Sequence, residues 1–104
     1  MRTVVLKQCQ KEIDEFPIRV KEQLSDYLQL LAIGEVLFPP ASKSLSSIAK
    51  GLHELRMKEA SGQYRVIYLM RSKDAIYLLL GFKKTSQHIE LRVRRTIEER
   101  LKQI

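Results

Sequence analysis

The chain has 104 residues, 44% of them hydrophobic and 30% charged, with a formal charge of +7. That length suits one domain over residues 1–104 and leaves no room for a second. Its longest apolar runs, such as Ile76 to Leu80, are too short to cross a bilayer or to form the core of a signal peptide, so a soluble cytoplasmic protein with no membrane partner is expected.

Thr3 to Leu6 is β-branched and apolar and predicts a short first strand. Cys9, the only cysteine, cannot form an internal disulfide. With two histidines it makes too small a set for the usual zinc site, so no metal or other cofactor is expected. Lys11 to Phe16 suits a short helical turn. Pro17 opens a longer helix, in which Val20, Leu24, Tyr27, Leu28 and Leu31 recur at helical spacing and Gly34 marks the end. Pro39-Pro40 starts an irregular stretch kept polar by Ser42, Ser44, Ser46 and Ser47, with Leu45 and Ile48 turned to the core.

Three strands are predicted next, over Leu52 to Lys58, Gln63 to Met70 and Ala75 to Lys83. Ser61-Gly62 and Ser72-Lys73-Asp74 connect them at hairpin length, which makes an antiparallel meander. Thr85 or Ser86 can cap a last helix with Ile89, Val93, Ile97, Leu101 and Ile104 on its apolar stripe. The order predicts an α+β two-layer fold. Its small antiparallel-rich sheet, the N-terminal strand plus the meander, packs with two N-terminal helices and a C-terminal helix.

Charge is concentrated late in the chain. Residues 83 to 104 carry seven basic residues against three acidic ones, a local +4. Nucleic acid, an acidic protein segment, a membrane surface or a merely solvated face all fit such a field. Strand alternation places Leu52, Glu54, Arg56 and Lys58 on one face of their strand, and Arg65 with Ile67 and Leu69 on one face of the next. An arginine among apolar neighbours needs a partner. Glu54 is the obvious one, and an arginine so paired can still face a phosphate. The run from Gly81 to His88 sets Lys83, Lys84 and His88 between a strand end and a helix start, where backbone N–H groups favour anions. Tyr64, Tyr68, Tyr77 and Phe82 suit the core at strand spacing, with base stacking as the alternative.

Three strings then carry a family resemblance: Gly51-Leu52-His53-Glu54-Leu55-Arg56, Ser61-Gly62-Gln63-Tyr64-Arg65-Val66-Ile67-Tyr68, and Ile76 through Thr85. In order and spacing they resemble the phage-derived HigB-like toxins of the RelE/ParE superfamily, which read G-L-x-E-L-R, G-x-Y-R-V-x-Y and L-L-x-G-F-x-K-K-T. The resemblance implies the toxin of a type II toxin–antitoxin pair, an mRNA endoribonuclease often acting on the ribosome. The antitoxin would usually be a helix-turn-helix DNA-binding protein. It also implies chemistry without a metal, in which the RNA 2′-OH attacks the adjacent phosphorus. Arg65 matches the phosphate-binding arginine, with Arg56 in support. Glu54 is either a base or an orienter of arginine, and Lys84 joins the catalytic set. His88 is the first choice for general acid. Lys58, Lys83, Lys84, Arg92 and Arg95 are the expected RNA-binding cations. The sequence departs from the pattern at Ser86-Gln87-His88-Ile89, where relatives have Lys-Thr-Pro, and its lysine pair follows Phe82 directly. The register of Lys83, Lys84 and His88 therefore stays open. A ParE-like gyrase inhibitor or a non-catalytic nucleic-acid-binding module of the same fold are the alternatives.

Overall fold

The structure, a computed structural model, describes residues 1–72, 74–85 and 90–104. Along the chain it runs β1 (Arg2–Val5), α1 (Lys7–Asp14), α2 (Ile18–Ala32), β2 (Ser42–Ser44), β3 (Leu52–Glu59), β4 (Gly62–Leu69), β5 (Ala75–Lys83) and α3 (Leu91–Leu101). The strands form one mixed sheet in the order β1-β5-β4-β3-β2. The expected meander is its centre, and the α+β class is the one read from the sequence. β1 joins parallel to β5, with Arg2 opposite Ala75 and Val5 opposite Leu78.

β2 lies in the stretch expected to be irregular. It pairs antiparallel with β3, Ser42 opposite Leu55 and Ser44 opposite His53. A Ser-Lys-Ser segment has little strand preference of its own, so the pairing comes from its neighbours. Ser42 is buried, and its Oγ lies 2.9 Å from the Tyr68 hydroxyl.

α1 starts at Lys7 rather than Lys11 and buries Cys9 and Ile13. Burial pushes the Cys9 thiol up to about 12, so it is an inert core residue. α2 begins just after Pro17, where a missing N–H costs nothing, and buries Val20, Leu24 and Leu31. It ends in a Schellman motif, with Glu35 N–H on Leu30 O at 3.0 Å and Gly34 N–H on Leu31 O at 3.1 Å. Gly34 has open space around it, and its φ of +91° is what requires glycine. The expected cap of the last helix is corrected. Thr85 Oγ1 donates to Glu90 Oε1 at 2.9 Å, and Glu90 holds the N-cap position of α3 without a side-chain cap bond. Ser86, the other candidate cap, and Ile89 lie outside the described residues.

Both faces of the sheet are covered. α1 and α2 pack on the face of Leu55, Met57, Tyr64, Val66, Tyr68, Ile76 and Leu78. α3, through Val93 and Ile97, covers Leu52, Ile67, Leu69, Leu79 and Leu80 together with Leu45. The C-terminal helix thus sits opposite the N-terminal pair and not in one layer with it. The cause is β4, which is apolar on both faces and needs cover on both. β5 contains a bulge. Ile67 pairs with Leu80 and Tyr68 with Leu78, so Leu79 has no partner residue. The alternation of β5 flips there, and both Leu79 and Leu80 enter the α3-side core.

Side chains close two open strand edges. Beyond β1, Gly81 N–H donates to Glu12 Oε1 at 3.1 Å and Arg100 Nη1 donates to Leu79 O at 2.8 Å. Arg100 and Glu12 also bond each other in a fork, at 2.7 and 2.9 Å. A Cβ on Gly81 would stand 3.1 Å from Phe16, so glycine lets α1 approach this edge. At the edge of β3, the Gln23 amide accepts from Lys58 N–H at 3.2 Å and donates to Lys58 O at 2.7 Å, in the manner of a neighbouring strand. Arg100→Ala is expected to lower stability by about 1.5–3 kcal/mol, because charge-assisted bonds are lost and a backbone carbonyl loses its partner. A urea titration that leaves the midpoint where it was would contradict this. Among the described residues no helix is long and apolar enough to cross a membrane.

Candidate nucleic-acid interface

The α3-side face of the sheet changes character along its strands. At one end Leu52, Ile67, Leu69 and Leu80 form core beneath α3. Toward the other end the register brings Arg56 opposite Arg65, Lys58 opposite Gln63, and Phe82 opposite Arg65. Lys84 follows, its N–H donating to Gln63 O at 2.8 Å. The β5 bulge decides which lysine belongs here. After the flip, Phe82 and Lys84 share the face of Arg65, while Lys83 pairs with Tyr64 on the other face. The Lys83 ammonium there lies 6.0 Å from the centre of the Tyr64 ring. The lysine pair is therefore split between the two faces.

Glu54 organises the cluster. Its Oε1 lies 3.2 Å from Arg56 Nε and 3.5 Å from Arg65 Nε. The Arg56 contact is a hydrogen bond, whereas the Arg65 contact is an ion pair whose Nε lacks a hydrogen-bond partner. Glu54 is 4% exposed and Arg65 5%. Two guanidinium groups facing across a strand pair would repel, and one buried carboxylate between them offsets that. Arg65 also donates through Nη1 to Tyr64 O at 3.1 Å and through Nη2 to Gln63 Oε1 at 2.7 Å. Burial pushes its pKa down and Arg56 adds to this, while Glu54 pulls it up; an arginine stays cationic regardless. The pairing with Glu54 anticipated from sequence is present, and Arg65 lies beneath the surface. Arg56 is the guanidinium that meets solvent, its side chain 29% exposed.

Lys84 is half-buried, and its pKa is lowered, first by burial and then by Arg65, Arg56 and Lys43, with Glu54 opposing. Lys43 stands opposite Glu54 on β2 and was not singled out from the sequence; nor was Gln63. The alternation Ser42-Lys43-Ser44 was the only signal, and it is too short to read without the strand beside it. Arg92 and Arg95 are exposed on α3, and Arg92 pairs with Glu90 at 3.7 Å. His88 lies outside the described residues. No set of three or more His, Cys, Asp or Glu side chains gathers as metal ligands among the described residues. Because its pKa is lowered, Lys84 loses its charge at a lower pH than an ordinary lysine. Affinity of this face for a polyanion is expected to fall as pH rises through that lowered pKa, and Lys84→Arg should remove the fall. Binding titrations from neutral pH upward, compared with the variant, check this.

Beside the cluster a groove of about 390 Å³ opens between α2, the segment at Pro40-Ala41 and the end of the β3–β4 hairpin. A second groove, about 420 Å³ between α1, α2 and β1, shares none of the Glu54 group.

The family profile described as "Phage derived protein Gp49-like (DUF891)" matches residues 11–102. The chain belongs to the phage-derived Gp49-like family. No curated protein matches the sequence. Solved structures do resemble this Gp49-like protein in fold. A chain of the intact E. coli RelBE toxin–antitoxin complex superposes with a TM-score of 0.52 at 16% identity, over 82% of this chain and 98% of that one. A free E. coli toxin RelE carrying two arginine-to-alanine substitutions gives 0.53 at 16% identity, over 99% and 96%. At that identity the likeness establishes a RelE-like fold for the Gp49-like chain and nothing finer.

Proposed function

We propose that this protein is the toxin of a type II toxin–antitoxin pair, an endoribonuclease of the HigB-like branch that cleaves mRNA, on the ribosome, and stops translation. The observation that carries the reading is the cation cluster, open on one sheet face and oriented by the buried Glu54. The RelE-like fold supports it. In the proposed reaction the RNA 2′-OH attacks the adjacent phosphorus. Its proton leaves to a base, the bond to the 5′-oxygen breaks, and that oxygen takes up a proton. The products are a 2′,3′-cyclic phosphate and a 5′-hydroxyl. The phosphorane between them carries more negative charge than the diester, and fixed donors gain most there.

Arg56 and Lys84 are the donors assigned to the phosphorane. Glu54, itself held by Arg65, keeps Arg56 in place, and it serves as orienter because its Oε1 is engaged by both arginines. His88 keeps the sequence-based assignment of general acid. Lys58 and Lys43 lie along the path of the RNA backbone, with Lys83, Arg92 and Arg95 as outer contacts. The partner is a cognate antitoxin, a helix-turn-helix protein that covers part of the basic surface.

The test is induction in cells followed by mapping of RNA ends. Cleaved messages ending in cyclic phosphate, with growth restored by the neighbouring gene's product, are expected. Intact messages beside trapped gyrase–DNA complexes would instead favour the gyrase-inhibitor reading.

A further inference from the structure

The groove beside the cations has a shape and lining that a phosphate does not need. Its 390 Å³ lies within the ~300–1,000 Å³ of clefts that enclose small organic ligands. Tyr27 and Met57 give it an aromatic and apolar wall, continued by Pro40 and Ala41. Such a wall suits a flat uncharged ring. Arg56 also lines it, so a ring seated there lies next to whatever anion Arg56 holds. A ring tethered to a phosphate is a nucleotide.

The polar rim is more selective than the wall. Gln63 Oε1 accepts from Arg65 Nη2 at 2.7 Å. A guanidinium only donates, so that bond fixes which end of the amide is oxygen. Arg65 is itself held by Tyr64 O and Glu54, so Gln63 cannot flip without losing its partner. Its Nε2, with two N–H donors, is left for the open side. Arg56 gives Nε to Glu54, and its Nη groups have no partner among the described residues. Lys58 adds an ammonium. The rim therefore offers donors and no free carboxylate.

The four RNA bases answer a donor rim differently. On its Hoogsteen edge guanine presents two adjacent acceptors, O6 and N7, with no amino group beside them, while adenine's N7 and cytosine's N3–O2 pair each lie next to an amino group that would meet another donor. Uracil has no two adjacent acceptors, because N3–H separates its carbonyls. We propose that this groove seats a guanine of single-stranded RNA next to the phosphate on Arg56, and that Gln63 is the residue that selects it. The proposal deepens the nuclease reading and rests on it for the polymer involved.

The test separates binding from cleavage. Fluorescein-labelled hexauridylates with a central G, A, C or U are made with 2′-O-methyl groups throughout, so that no 2′-OH can attack. Fluorescence anisotropy at one salt concentration is expected to show the G probe bound at least about tenfold tighter, as one good bidentate base contact gives. Gln63→Leu should bring G down to the level of U without changing the salt slope, because no phosphate contact is removed. Gln63→Glu keeps the acceptor for Arg65 and replaces the donor, so it should also lose the preference while melting no lower than wild type. Equal binding of the four probes overturns the proposal, as does preference for another base, a G preference that both variants retain, or no binding. Cleavage of unmodified mRNA by the same preparation is read separately. Cleavage without base preference sinks the groove assignment alone; G-selective binding without cleavage sinks the nuclease reading and leaves the groove.

Discussion

Glu54→Leu is expected to destabilise the protein by about 3–5 kcal/mol, the usual cost of removing one partner from a buried ion pair. Glu54 is 4% exposed and its Oε1 touches both Arg56 and Arg65. Without it, two cations directly opposite each other on β3 and β4 lose the charge between them. One of them, Arg65, is 5% exposed and cannot turn to water. For a domain of this size the loss corresponds to a fall in melting temperature on the order of 15 °C or more. A second replacement, Arg65→Leu, should recover much of it, because a buried pair exchanged together for apolar groups is often neutral. Calorimetry on the two single variants and the double variant measures the coupling. A single Glu54→Leu variant that melts like wild type would mean that the carboxylate does not hold this face together.

On the nuclease reading proposed above, Arg56→Ala is expected to act on RNA cleavage rather than on folding. Arg56 is the more exposed guanidinium, and Glu54 keeps Arg65 when Arg56 is gone. Loss of one preorganised donor to a developing anion typically costs about a hundredfold to a thousandfold in rate, near 2.7–4 kcal/mol. Arg56→Lys should recover only part of this, because an ammonium keeps the charge without the planar fork. Arg65→Ala should differ from both by lowering activity and melting temperature together, since Arg65 also holds Tyr64 O, Gln63 and Glu54. Single-turnover cleavage and thermal melts on the same preparations resolve the three. An Arg56→Ala protein that cleaves at the wild-type rate would remove Arg56 from the site.

Period and turn chemistry in the sequence determined four of the five strands, all but β2, and the long helix α2 packed against them. The stripe of Val20, Leu24 and Leu31 needs only a 3.6-residue repeat to be seen, and the three meander strands need only alternation and short connections. The pairing of Glu54 with Arg65 was legible as well, because an arginine between apolar neighbours requires a partner. What local sequence could not supply was the offset between strands. One unpaired residue at Leu79 turns Lys84 rather than Lys83 toward Arg65, and nothing in Leu78-Leu79-Leu80 marks where the extra residue falls. Lys43 joins the cluster only because Ser42–Ser44 lies against β3, a pairing those residues do not favour by themselves. Arg100, read from the sequence as part of a basic field, is bonded to Glu12, 88 positions earlier in the chain, and closes the edge of β5. Composition reports how many charges a chain carries. Which of them face a ligand and which seal the fold is decided by strand register and by contacts distant in sequence, and those exist only once the sheet has formed.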